Sequence, residues 1–519
     1  MRDVPHSDLT VDGLLRRAAR RDPGGVAVRT ASRVLRFAEL DAYADRIAAW
    51  LHTVAGAGAG TRVGVAHVLD PEFAAVYHGV LRAGATVVLL NPLLPQDGLR
   101  HVLATAAAEV ALVPAPTAGL IAGIRHELPA LRAVVATDTL PPPPALDLAP
   151  RTGAGPAADP DAVACVQFTT GTTGAPKGVL LTHRNLVANA WQTAEAHGLG
   201  AGSVTLNHLP LYHVMHLNSA LYAGACQVLC QDPDPLASLT AAAESGATHY
   251  YGLPARLHAL AADERLARGG PPGLRLTAVL SGGSALRPQA ARVLEQRLGV
   301  PVIQGYGMAE LSPLTHCQRP AGRRAGTVGT TVPGTGCRLV DLTTGEPVDV
   351  WSTGEVQVRG PQLMAGYLDE ERPARIDADG WFATGDVGYV DDEGNLRLVD
   401  RLGDVFKYDN DIVSPTRVEQ VLADDPRVAD CVVADWPDPE HGALVWAGIV
   451  LRESPGPHTA TGAARVRGVL DAITERANER LGTFERIRRS EALGAVPRTP
   501  TGKPERRAVR EELRARAGT

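Results

Sequence analysis

At 519 residues, with 45% hydrophobic and 21% charged side chains, the chain is long enough for more than one domain, each with a sizeable core. A net charge of −6 excludes the broad basic footprint of a nucleic-acid or anionic-membrane binder, and local Arg clusters such as "ERIRRS" read as solvated faces. Six scattered cysteines form neither a disulfide framework nor a zinc pattern. No uncharged apolar stretch reaches membrane-spanning length, and "MRDVPHSDLTVDG" lacks the apolar run of a signal peptide, so a cytoplasmic protein without a membrane span is expected. From about residue 37 to 310 helical and strand-like runs alternate. "FAELDAYADRIAAWL" puts Phe37, Leu40, Ile47, Trp50 and Leu51 near one helical face. "TRVGVAHV" and "GATVVLLN" are short β-branched runs, the pattern of buried parallel strands, with a Gly-closed helix "PEFAAVYHGVLRAG" between them. "AVACVQFTT", "VTLNHLP", "HYYGLP", "LTAVLSGG" and "PVIQGYG" are further strands, and ligands of open α/β sheets bind at the carboxyl ends of strands. The Pro- and Ala-rich "TDTLPPPPALDLAPRTGAGPAADPD" reads as a surface connection. After residue 320 short strands and Gly turns take over, with a hairpin "GYVDDEGNLRLVD" turning at Glu393-Gly394. From Asp400 a compact α+β unit is expected: a helix from Pro415, strands "ADCVVADW" and "ALVWAGIVLR", and a helix near 464–480.

The chemistry concentrates in loops. Within "QFTTGTTGAPKGVLLTHRN" (167–185), residues 169–178 place four Thr, three Gly and a Lys after a strand. Gly lets the backbone approach a ligand, while hydroxyls, amides and Lys suit phosphate oxygens. The Walker A spacing fails, since Pro176 precedes Lys177 and Gly178 follows it. Lysine is rare in this Arg-rich chain: only Lys177, Lys407 and Lys503 occur, all in loops rich in Gly, Thr, Pro or Asp. A compact ammonium fits where a planar guanidinium does not.

The 167–185 loop resembles the phosphate loop of the adenylate-forming superfamily of acyl-CoA and aryl-CoA ligases, luciferases and adenylation domains. "QGYGMAE" (304–310), "GWFATGDVGYVDDEGNLRLVDR" (380–401) and "PRTPTGKPERR" (497–507) resemble three further motifs of that family, in order. The resemblance implies an α/β fold: a large N-terminal domain of βα units with a distorted β-barrel portion (1–399), and a small mobile α+β C-terminal domain (400–519) hinged near Asp400. It implies a two-step ligase. A carboxylate attacks the α-phosphate of ATP to give an acyl-adenylate and pyrophosphate, and a thiol, commonly of CoA, then displaces AMP. By resemblance, Lys503 bridges carboxylate and phosphate, and Thr169, Thr170, Gly171, Thr172, Thr173 and Lys177 hold the pyrophosphate end. Glu310, with Thr170, holds Mg²⁺. Tyr306 stacks on adenine within the segment Gly305, Gly307, Met308 and Ala309, with Gly282, Gly283 and Ser284 at its edge. Asp386 and Arg401 take the ribose. Lys407 serves the thiol step after the C-terminal domain rotates.

Two departures from the family pattern stand out. Ala309 replaces a Thr that would contact phosphate, and Asp409-Asn410 occupy positions usually given to Gly, so the two half-reactions are expected to be unequally efficient. The acid pocket is expected from 211–221, 250–254, "SGGS" and "GYGM", with His213 near the reacting carboxylate. No acidic residue lies between Leu211 and Gln231 to grip an α-ammonium, so a non-amino carboxylic acid is favoured. Val214, Met215 and Met308 suggest an apolar acid, and His216, Asn218 and Tyr251 could meet a polar group on it. The thiol partner is CoA or, alternatively, a separate carrier protein, and a partner ligase could supply or consume the adenylate.

Overall fold

The computed structural model describes residues 5, 8–66, 68–140, 159–169, 176–208, 213–369, 375–409, 411–453, 460–498 and 504–517. The fold is α/β and divides into two compact units. The larger comprises Met1–Cys337, Val358–Phe382 and Glu393–Leu396; the smaller comprises Arg338–Gln357, Ala383–Asp392 and Arg397–Thr519.

Two sheets organise the larger unit. The nine-stranded sheet runs, edge to edge, Thr330–Thr331, Leu314–Cys317, Val302–Gly307, Ala278–Ser281, His249–Gly252, Val204–Asn207, Cys226–Leu229, Val26–Arg29 and Val34–Arg36. Its six central strands are mutually parallel, and the edge pairs are antiparallel. The seven-stranded sheet runs Gly366–Tyr367, Gly178–Thr182, Val163–Phe168, Thr86–Leu90, Arg62–Ala66, Val110–Val113 and Ala133–Ala136. Its five strands from Val163–Phe168 to Ala133–Ala136 are parallel and read as largely apolar runs, the pattern of a parallel sheet buried on both faces. Val87, Val88 and Leu90 are fully buried, as are Val110 to Val113. The predicted helices are present as Phe37–Thr53 and Pro71–Arg82, the second started by the Asp70 carboxylate accepting from the Glu72 amide at 3.0 Å.

The smaller unit holds most of a four-stranded sheet (Gly336–Val340, Gly354–Arg359, Phe382–Val390, Leu396–Arg401), which is open among the described residues where a barrel-like portion is expected. It also holds a two-stranded hairpin, Phe406–Tyr408 with Asp411–Val413, and a sheet of Val428–Asp438, Gly442–Leu451 and Ile487–Ala492. The helices Pro415–Ala423 and Ala460–Asn478 match the expected α+β pattern. Its core gathers Val418, Leu422, Val433, Val445, Ile449 and Ile473.

Candidate active site

Three adjacent parallel strands, His249–Gly252, Ala278–Ser281 and Val302–Gly307, end on a cavity of about 250 Å³ in the larger unit. This is where strand-end chemistry is expected in an open α/β sheet. Leu253, Leu280, Ile303, Met308, Pro313 and Leu314 supply most of its apolar wall, joined by Met215 and Tyr306. Gly282, Gly283, Gly305, Gly307 and Ala309 line it with backbone. Glycine is required at 307, because a Cβ there would sit 2.0 Å from the Pro313 carbonyl oxygen. The same carbonyl accepts from the Met308 amide at 3.1 Å and so sets the turn into Glu310. Val214 and Asn218 are buried but do not line the cavity; Asn218 instead donates to the Tyr77 hydroxyl at 3.4 Å. Ser284 is exposed beyond it.

The polar part of the wall is built from uncharged groups. His213 caps the helix Val214–Ala223: its Nδ1 accepts from the Met215 amide at 3.2 Å, so the neutral ring carries its proton on Nε2. His216 Nδ1 meets Asn207 Oδ1 at 2.8 Å, and its ring lies 4.0 Å from that of Tyr251. The Tyr251 hydroxyl meets His197 Nδ1 at 2.9 Å. Burial pushes His213 down to about 4 and His197 down to about 3, and holds His216 well below the ordinary histidine value. All three imidazoles are therefore neutral near pH 7. Among the described lining residues none is Asp, Glu, Lys or Arg. His197 was not anticipated from sequence; it ends a helix fifteen residues after the strand that feeds it, with no local pattern pointing to a pocket.

At the expected phosphate loop, Val163–Phe168 and Gly178–Thr182 pair antiparallel, and the Thr169 amide donates to the Lys177 carbonyl at 3.0 Å. This closes the ladder at the mouth of the expected phosphate loop. Thr170, Gly171, Thr172 and Thr173 lie outside the described residues. Glu310 is buried, and its Oε1 accepts from the Tyr367 hydroxyl at 3.0 Å. The Lys177 ammonium lies 4.9 Å from the centre of the same tyrosine ring. Tyr367 thus ties the lysine of the loop to the expected metal carboxylate, a link absent from the sequence reading. Among the described residues no three His, Cys, Asp or Glu converge as a closed metal cage. One carboxylate fits Mg²⁺, which takes its other ligands from phosphates and water.

The remaining expected groups belong to the smaller unit. Buried Asp386 pairs with Arg401 at 3.2 Å. Asp400 sits at the N-terminus of the helix Pro415–Ala423, where its Oδ2 accepts from the Ser414 hydroxyl at 2.9 Å and the Thr416 amide at 2.8 Å. Lys407 is exposed and pairs across the hairpin with Ile412. Asp409 has a φ of +53°, and its carboxylate meets His441 Nδ1 at 3.0 Å. Asn410 and Lys503 lie outside the described residues.

Residues 15–368 match the family described as AMP-binding enzyme, and residues 417–503 match the AMP-binding enzyme C-terminal domain. A 4-coumarate–CoA ligase 5 of Oryza sativa subsp. japonica is 30% identical over 528 residues, covering 96% of this chain and 93% of that protein. A feruloyl-CoA synthase of Amycolatopsis sp is 31% identical over 514 residues, covering 97% and 98% of the two chains. The crystal structure of an anthranilate CoA ligase in complex with anthranoyl-AMP is similar with a TM-score of 0.85 and 25% identity, covering 98% of both chains. With these matches over nearly its whole length, the chain belongs to the AMP-binding enzyme family of adenylate-forming acid–thiol ligases.

Proposed function

We propose that this ligase converts an apolar, non-amino carboxylic acid of about one ring and a short chain into its CoA thioester, through an acyl-adenylate. The observation that carries the acid's character is the cavity: about 250 Å³, mostly apolar, with neutral imidazoles and no formal charge among its described walls. An α-ammonium or a second carboxylate would be buried there without a partner, at a cost of several kcal/mol. Relatives named for 4-coumarate and ferulate agree with that size. They are also named as CoA ligases, which favours CoA over a carrier-protein thiol.

The chemistry follows from charge. In the first step a carboxylate oxygen bonds to the α-phosphorus while the bond to pyrophosphate breaks. Both reactants are anionic, so positioned cations lower the barrier. Lys503 is assigned to the new bond and Lys177, with the threonines of its loop, to the leaving pyrophosphate. His213 Nε2–H is a donor suited to the carboxylate. When bound at Glu310, Mg²⁺ neutralises phosphate charge. In the second step a thiolate attacks the acyl carbon and AMP leaves. Lys407 is assigned to this step, after rotation of the C-terminal domain about Asp400.

The test is to supply ATP, Mg²⁺ and a panel of aryl, fatty, amino and dicarboxylic acids, then CoA, and to follow pyrophosphate, AMP and thioester by mass spectrometry. One-ring apolar acids are expected to turn over; preference for an amino or dicarboxylic acid would overturn the assignment. On the preferred acid, Lys407→Ala is expected to slow thioester formation from supplied adenylate about tenfold or more, with adenylation nearly unchanged. A larger loss in adenylation would place Lys407 elsewhere.

Tyr367→Phe tests the other side of the site. It removes a hydroxyl that donates to a buried carboxylate, an interaction worth about 1.5–3 kcal/mol. ATP–pyrophosphate exchange is expected to fall roughly tenfold or more, with a raised Mg²⁺ requirement and an unchanged KM for the acid. Unaltered exchange would confine Tyr367 to packing.

A further inference from the structure

The turn at Asp409 is held by a residue outside the hairpin it belongs to. Strands Phe406–Tyr408 and Asp411–Val413 pair antiparallel with Tyr408 opposite Asp411, leaving a two-residue turn. Such turns require positive φ, which Gly adopts freely and Asp only at a cost. Asp409 adopts it, at φ +53°. Two bonds to His441 hold it there: the Asp409 amide donates to the His441 carbonyl at 3.0 Å, and His441 Nδ1 donates to Asp409 Oδ1 at 3.0 Å. The imidazole itself is fixed by stacking on Tyr408, with ring centres 4.6 Å apart and planes at 17°. The Arg488 guanidinium lies 4.3 Å from the centre of the same tyrosine ring. The Lys407 carbonyl oxygen lies near the next residue of the His441 turn, 3.9 Å from where a Cβ on Gly442 would stand. Lys407 therefore sits on a strand whose turn and flank are both set by the segment His441–Gly442.

We propose that His441 is a positioning residue for thiol transfer, acting through Asp409 to hold the hairpin that carries Lys407. The proposal rests on the assignment of Lys407 to the thiol step. The carboxylate that Asp409 brings to a position usually given to Gly is engaged by His441. The charged groups around His441 are Asp409 from the hairpin, Asp438 and Glu440 from its own turn, and Arg488 and Arg489 from the strand Ile487–Ala492. The hydrogen bond to Asp409, then the three carboxylates together, raise the histidine above its ordinary value. The charged clasp is complete below the ordinary histidine value of about 6.5 and weakens as pH rises through the raised one.

Thioester formation is measured from supplied acyl-adenylate and CoA, between about pH 6 and 9, for wild type, His441→Ala, and Asp409→Gly/His441→Ala. ATP–pyrophosphate exchange is followed in parallel. His441→Ala is expected to slow thiol transfer about threefold, the range of an exposed pair, and to remove one ionisation from its pH profile, with exchange unchanged. Asp409→Gly is expected to restore the rate in the His441→Ala background, because Gly takes the left-handed turn unaided, but not the ionisation. No change in His441→Ala, an equal loss in exchange, or failure of Asp409→Gly to restore the rate would each overturn the proposal. An NMR titration of the His441 ring in wild type and Asp409→Asn reads the clasp without turnover. Its midpoint is expected to fall in the variant, and an unchanged midpoint refutes the clasp. A wild type that makes no thioester but passes this titration refutes the assigned activity instead.

Discussion

Lys503→Ala is expected to lower acyl-adenylate formation by about 10²–10³-fold, a loss on the order of 3–4 kcal/mol of transition-state stabilisation. Thioester formation from supplied adenylate is expected to stay within about threefold of wild type, a difference below 1 kcal/mol. Lysine is rare in this chain, which retains one ammonium in "PRTPTGKPERR" amid arginines that could have replaced it. The base of that loop is pinned on both sides. Arg498 and Pro504 form an isolated antiparallel bridge, and the Glu505 amide donates to the Pro497 carbonyl at 2.9 Å. Arg498 is held in turn by both carboxylate oxygens of Asp430, each at 2.7 Å. A short loop with fixed ends suits a cation that must arrive at one place between two anions. Lys503→Arg sharpens the test. It keeps the charge but substitutes a wide planar group, and is expected to recover only part of the loss. Equal losses in both half-reactions for Lys503→Ala would remove this lysine from the first step.

What could be read in advance was local. "TRVGVAHV" and "GATVVLLN" became the buried parallel strands Arg62–Ala66 and Thr86–Leu90, because β-branched runs of that length have few other uses. Tyr306, Gly307 and Met308 of the "QGYGMAE" segment line the cavity. What escaped were pairings set by tertiary proximity. Tyr367 donates to Glu310 from 57 residues away, out of a two-residue strand with no periodicity to mark it. His441 reaches Asp409 across 32 residues, a pairing that no local pattern marks. Asn218, on a helix whose face could be counted but not its rotation, turns to Tyr77 instead of the cavity. The path of the chain also crosses between the units several times, with Arg338–Gln357 and Ala383–Asp392 both in the smaller one. No shift of composition marks those crossings.

The second large effect is expected far from the cavity, where Arg82→Leu should destabilise the larger unit by about 3–5 kcal/mol. The Arg82 side chain is only 3% exposed and joins three helices. Its guanidinium donates to Asp12 of Val11–Arg21 at 2.8 Å, and to Asp41 and Asp45 of Phe37–Thr53 at 2.5 and 2.8 Å. A further bond reaches the Asp41 carbonyl at 2.7 Å. Removing the cation takes the buried partner from Asp12, which keeps only the more exposed Arg16 at 2.8 Å among the guanidinium contacts described, and this costs more than the pair was worth. The double variant Asp12→Asn/Arg82→Leu is therefore expected to lose less than Arg82→Leu alone. The pH dependence has a definite sign. Burial would raise Asp12, but the Arg82 charge and hydrogen bond outweigh it and hold the carboxyl below its ordinary value. Its contribution is thus fully present above about pH 4, the unfolded carboxylate value, and is lost as pH falls through the lower folded one. His78, whose Nδ1 lies 4.0 Å from Asp12, is pushed down by burial to about 4, so it is neutral above about pH 5 and takes up its proton only below that. The gap in denaturation midpoint between wild type and Arg82→Leu is expected to be constant from neutral pH to about 5 and to narrow below 4. Denaturant unfolding read across that range decides it: a gap that instead closes between about pH 8 and 6 would mean that a group other than Asp12 carries the stability.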